Sequence, residues 1–258
     1  MKYFVLGAAL AVSGYAQTFT YDFETDYQGW TADFADYPVN DSITMQLQHK
    51  HQAMPGIAPA QNGIYLFGQN YSDDLFLFLK RKLTGLTPNA TYSIAFTVDL
   101  ATDMPPDGIG GGDLTLKAGA TAVEPKKIVS GGLYRMNINK ANQTQPGPDM
   151  DTLGHVHHNV PGSFAFHLVK FANKRAFMAK ADAQGNLWLI IGAESAFEVG
   201  APLNVAALSA TLTGGTGLRR AARTGGPIRD GDRAYTLTGR RTLTGAGDGG
   251  AARLPTTR

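Results

Sequence analysis

The stretch at residues 92–100, YSIAFTVDL, limits the fold more than any other part of the chain. Tyr92, Ile94, Phe96, Val98 and Leu100 fall on one side of an extended backbone, and Ser93, Ala95, Thr97 and Asp99 on the other. Successive side chains of a strand point to opposite faces, so this period of two is a half-buried antiparallel strand. A helix would spread the same apolar residues around its circumference. LTGLTPNAT leads into the strand, and its Gly85, Pro88 and Asn89 are turn formers.

The pattern recurs along the chain. Residues 64–67 form a short strand after the Asn62-Gly63 turn. Residues 75–79, LFLFL, are a continuous apolar run, as expected of a strand covered on both faces. Alternation returns at Leu114, Leu116 and Ala118, at Tyr134, Met136 and Ile138, and at Phe164, Phe166 and Leu168. LWLII at 187–191 reads as a central strand, and residues 203–212 close the domain. The apolar phase slips between Ala207 and Leu208, which predicts a bulge. Residues 101–113, ATDMPPDGIGGGD, are loop, because the proline pair and the glycine run oppose regular structure. One stretch, FANKRAFMAKAD at 171–182, reads as a short helix. Many short strands joined by Gly/Pro turns predict an all-β sandwich or barrel, with no internal repeat.

The two ends differ from this body. Residues 1–16 place Lys2 before a short apolar run, followed by small residues at Gly14 and Ala16. That order predicts a signal peptide cleaved before Gln17, and a secreted or periplasmic protein. The apolar run is too short for the roughly 20 residues of a membrane-spanning helix, and no later segment supplies one. Residues 1–213 carry 14 Lys and Arg against 18 Asp and Glu, a net of −4. Residues 214–258 carry 9 Arg and 3 Asp, a net of +6, so the overall charge of +2 belongs to the tail. With almost no aromatic residues and no hydrophobic period, the tail is expected to be disordered, and it has the look of sequence outside the native reading frame. A basic arm for nucleic acid would interleave aromatic residues, so no nucleic-acid partner is expected. The domain is 17–213, and without cysteine it must rest on its hydrophobic core.

Several segments together support a family comparison. F-x-Y-D-F-E at 19–24, followed by Gly29-Trp30, resembles the opening of jelly-roll carbohydrate-binding modules of the galactose-binding-like type. LTGLTPNATYSIAFTVDL at 83–100 and the closing stretch at 186–212 are similar to other parts of those modules. FADYP at 34–38 and SDDLF at 72–76 also look like segments of uncharacterised secreted bacterial proteins. The resemblance implies an antiparallel jelly-roll β-sandwich with at most one short helix. It also implies a polysaccharide or cell-surface glycan as partner, and a structural calcium ion near Glu24. Asp22, Glu24 and Asp26 are expected on one strand face as calcium ligands. The closing strand departs from the family, with Ala206 and Ala207 where an Asp is expected and only Asn204 close by.

The candidate ligand site is the loop holding Trp30, Asp33, Phe34, Asp36 and Tyr37. Aromatic faces stack on sugar C–H surfaces, and carboxylates accept hydrogen bonds from hydroxyls. The competing reading puts Trp30 in the core. Asp73 and Asp74 are adjacent, and residues adjacent on a strand point apart, so they make a poor acid–base pair. His155 and His157 share a face if extended and could ligate zinc. No nucleophile elbow, zinc-protease, phosphate-loop or dinucleotide motif occurs. The first reading is therefore a non-catalytic glycan-binding sandwich. The alternatives are a secreted hydrolase using carboxylates or a His-bound metal, which needs a cleft gathering Glu24, Asp33, Asp36, Asp73 and the histidines, and a structural envelope protein.

Overall fold

The computed structural model describes residues 16–107 and 114–214. Residues 1–15 of the signal peptide expected at 1–16, the glycine run at 110–112 and the expected disordered tail beyond Gly214 lie outside the described residues. Among the described residues fifteen strands follow one another. They are β1 (Ala16–Tyr21), β2 (Thr31–Ala35), β3 (Tyr37–Pro38), β4 (Gln48–Ala53), β5 (Asn62–Gln69), β6 (Phe76–Leu83), β7 (Thr91–Thr102), β8 (Leu114–Thr121), β9 (Lys127–Ser130), β10 (Leu133–Met136), β11 (Met150–His155), β12 (His167–Ala172), β13 (Phe177–Lys180), β14 (Leu187–Ser195) and β15 (Gly200–Gly214). One 3-10 turn, Val39–Asp41, is the only helical element among the described residues.

All pairings are antiparallel. The larger sheet runs β12-β7-β15-β5-β4, with β1 beside β15 and β13 beside β7. The second runs β11-β8-β14-β6-β2, and a small sheet runs β3-β10-β9. The chain passes repeatedly between the two large sheets, giving an antiparallel β-sandwich of the jelly-roll kind. Ile94, Phe96 and Val98 of β7 meet Leu77 and Leu79 of β6 and Leu189 and Ile191 of β14 in one core. The 92–100 alternation is thus a strand with one face in this core. LFLFL is covered on both sides: Leu75, Leu77 and Leu79 enter the main core, while Phe76 and Phe78 pack with Ala35, Ile138, Met150 and Ile190 on the opposite face. The cover there comes from the 122–149 region, which lies over the outer face of the five-stranded sheet.

Several expectations are corrected. FANKRAFMAKAD is not a helix. Its first residues end β12 and its later ones form β13, and both strands pair with β7. Helix-forming side chains there yield to the hydrogen bonds of a sheet edge. The strand expected at 164–168 begins at His167, and Phe164 is exposed. The bulge lies one residue before its expected place, where the β15–β7 register shifts between Val205 and Ala207. β1 ends at Tyr21, so Asp22, Glu24 and Asp26 do not share a strand face. Phe23, Gln28 and Gly29 have positive φ, and the backbone there turns too tightly to continue the strand.

Candidate functional site

The aromatic residues of the predicted ligand loop are core. Trp30 is 2% exposed and packs edge-on against Tyr21 and Phe23, with ring centroids 5.4 and 6.4 Å away. Phe34 points inward from β2, and Tyr37 is buried against Tyr134. Buried rings present no face to a sugar, so this platform is corrected to a packing role. The carboxylates of the loop are engaged as well. Asp33 pairs with Lys127 Nζ at 2.8 Å. The Lys127 ammonium is pulled down by burial, but its bonds to Asp33 and Tyr37 outweigh that and leave its pKa raised.

Asp36 enters a buried ionic cluster. Lys140 Nζ lies 3.0 Å from Asp36 and 2.7 Å from Glu194, and Lys117 Nζ lies 3.0 Å from Glu194. Arg135 reaches both Asp36 and Asp74, at 3.6 and 3.5 Å. Lys117 and Glu194 have no exposed side-chain surface. Burial holds the Lys117 ammonium below its ordinary pKa, and burial pushes the Asp36 carboxyl up despite Lys140. Lys117 Nζ also donates to the carbonyls of Lys140 and Gln145. The cluster therefore pins the 139–149 segment to the sheet, which is a structural task.

The expected calcium ligands do not converge. Asp22 Oδ1 accepts from the Glu24 and Gln28 nitrogens, Asp26 Oδ1 accepts from the Gln28 amide, and Glu24 Oε2 accepts from the Asn62 amide. The bonds to Asp22, first that from the Glu24 amide, hold its carboxyl below its ordinary pKa. Among the described residues no three His, Asp or Glu side chains are gathered as metal ligands, so the residues present do not fit a calcium site built on these carboxylates. β11 ends at His155, and the chain leaves the strand before His157, so these two share no strand face. His158 is buried with its ring centroid 4.3 Å from that of His167. His49 bonds the Tyr27 hydroxyl at 2.8 Å and His51 the Phe23 carbonyl at 2.6 Å, tying β4 to the 22–30 loop.

The most ligand-like surface lies elsewhere, on the outer face of the seven-stranded sheet. β5 sends Ile64 and Leu66 into the core, so Tyr65 and Phe67 point outward. Their rings are 6.3 Å apart and within 11° of parallel, and both are part-exposed. Residues opposite one another in an antiparallel pair share a face, so Lys50 and Gln48 of β4 flank Tyr65 and Phe67 on one side. Asn204 and Pro202 of β15 flank them on the other. Gly200 sets the tilt of Phe67: a Cβ at 200 would lie 3.0 Å from the ring, so the ring occupies space over a bare backbone. Burial of the Tyr65 phenol raises its pKa. Beside this face, a cavity of about 240 Å³ at the end of the sandwich is lined by Met104, Val156, Phe197, Val199 and Gly200 among others. Sequence reasoning missed the pair because IYLF is apolar on both faces, which also describes a fully covered strand. The signal was available in the placement of both aromatic residues on the face away from Ile64 and Leu66.

No family model and no curated protein matches the sequence. Solved structures similar to the chain include a mannan-recognising carbohydrate-binding module, TmCBM27. It is 10% identical with a TM-score of 0.37, and the match covers 76% of this chain and 98% of that one. TmCBM61, solved with β-1,4-galactotriose, is 8% identical with a TM-score of 0.31, covering 71% and 88%. The K1 cleaved adhesin domain of Lys-gingipain from Porphyromonas gingivalis W83 is 10% identical with a TM-score of 0.36, covering 76% and 97%. The fold described above rests on the chain's own sheets.

Proposed function

We propose that this chain is an exported, non-catalytic β-sandwich that binds a glycan across the outer face of its seven-stranded sheet. The observation that carries the reading is the parallel, part-exposed pair Tyr65 and Phe67 on one strand face. Two aromatic faces at strand spacing offer an apolar bed for successive sugar rings, and the amides of Gln48 and Gln69 beside them can both donate to and accept from hydroxyls. Export is supported by the order of charged, apolar and small residues at 1–16. The hydrolase reading asks for one cleft holding the carboxylates and histidines. Asp33 is spent on Lys127 and Asp36 on the Lys140 cluster, while Glu24 borders a different hollow with residues 56–61.

Binding to a broad polysaccharide array, followed by calorimetry on the polymers retained, tests the reading. Removing both rings with Tyr65→Ala/Phe67→Ala should weaken binding by about 2 kcal/mol or more, roughly thirtyfold in Kd, as for truncated aromatic anchors. Trp30→Ala should act through stability instead. No retained polymer, or full affinity in the folded double variant, would overturn the proposal.

A further inference from the structure

Lys50 gives the platform a charge preference. Its Nζ stands 5.2 Å from the centroid of the Tyr65 ring, so the ammonium already occupies part of the space a stacked sugar would need. Among the described residues no carboxylate lies within ion-pair distance of it, whereas Lys80, Lys127 and Lys170 each hold one. The other side chains beside the two rings, Gln48, Gln69, Pro202 and Asn204, are uncharged. Farther along the sheet, Asp99 is neutralised by Lys170 at 2.6 Å.

A neutral sugar settling on Tyr65 would displace the ammonium from the ring and return nothing for the lost cation–π contact. A sugar acid replaces that contact with an ion pair, because its ring carbons take the aromatic face while its carboxylate takes the ammonium. We infer that the platform selects polysaccharides containing uronic acids, with Lys50 as the residue that reads the carboxylate. This rests on the proposed glycan reading of the same face and names its ligand class.

The test compares polygalacturonate with its methyl ester, the same polymer with its charge removed, and adds alginate as a second acidic polymer. Calorimetry is run on the full chain at low and high salt. Wild type should bind the acidic forms at least tenfold more tightly than the ester, and added salt should reduce that preference. Lys50→Met should erase the preference by weakening the acidic forms, while affinity for the ester should not fall, because no cation–π contact is left to displace. Lys50→Arg should restore it. The Tyr65→Ala/Phe67→Ala variant should weaken both forms roughly thirtyfold or more; because it keeps the nine arginines of 214–258, acidic binding retained while the ester is lost would place the charge preference on those arginines and overturn the uronate inference. Equal binding of acid and ester, or a preference untouched by Lys50→Met, overturns the uronate inference and leaves the glycan reading standing. Absence of binding to every polymer, or full binding by the double ring variant, overturns both.

Discussion

Lys117 and Glu194 lie side by side on the outer face of the five-stranded sheet, and neither side chain reaches solvent. Removing an ion from water costs several kcal/mol even after relaxation, so the pair is tolerable only while both partners are present. The two are not equivalent. Glu194→Gln leaves Lys117 with two carbonyls and no carboxylate, whereas Lys117→Met leaves Glu194 still bonded to Lys140 at 2.7 Å. Glu194→Gln should therefore cost about 3–5 kcal/mol in urea unfolding, and Lys117→Met distinctly less. Equal costs would mean that Lys140 does not hold Glu194 in place. Asp36 adds a pH dependence. Its carboxyl is raised above 3.8 by burial, so the folded chain holds a proton that the unfolded chain has released. Between 3.8 and that raised value, the contribution of Asp36 to stability increases as pH falls. Asp36→Asn lacks this contribution, so its deficit in Tm against wild type should widen on acidification toward 3.8. A deficit that shrinks instead would reverse the assigned direction.

At the scale of elements, the 137–149 segment is closed on itself by backbone contact as well as pinned to the sheet by charge. A Cβ at Gly147 would lie 2.5 Å from the Asn139 carbonyl oxygen and 2.6 Å from the Lys140 carbonyl carbon. Gly147→Ala should force the two arms of the segment apart at residues 139–141, costing about 1–3 kcal/mol as overpacking does. Hydrogen exchange should quicken first over 137–150, and uniform quickening across both sheets would argue against a local wedge. The segment also bears on what the sequence could reveal. LFLFL announced a strand covered on both sides, but not that the second cover would be a long excursion between β8 and β11. The charges enclosed by that cover carry no local signal in the sequence, because Lys117, Glu194, Lys140 and Asp36 come together only in the folded chain. β12 and β13 were hidden for a different reason: Ala, Lys, Arg and Met favour a helix, and only the edge of β7 decides otherwise. Trp30 looked like a sugar platform because nothing local reveals that Tyr21 and Phe23 close over it. The 92–100 strand and the bulge in β15 were legible because alternation is a local property.

Across the whole molecule, the ionic cluster and the proposed platform are separated by the core. The ionic cluster lies on the outer face of one sheet and the Tyr65–Phe67 platform on the outer face of the other, and stacked sheets are spaced roughly 10 Å apart. Sites that share no partners at such distances act independently, with stability changes adding to within about 0.5 kcal/mol. Glu194→Gln should therefore lower Tm while leaving unchanged the Kd of the folded protein for any polysaccharide retained on the array. Tyr65→Ala/Phe67→Ala should weaken binding roughly thirtyfold or more with little change in Tm, because both rings are part-exposed and the core beneath them is filled by Ile64 and Leu66. The combined variant should show both effects at their separate sizes. A Glu194→Gln protein that remains folded at the assay temperature yet binds more weakly would show that the two faces are coupled through the core. The Lys117 cluster would then belong to the binding machinery rather than to the scaffold.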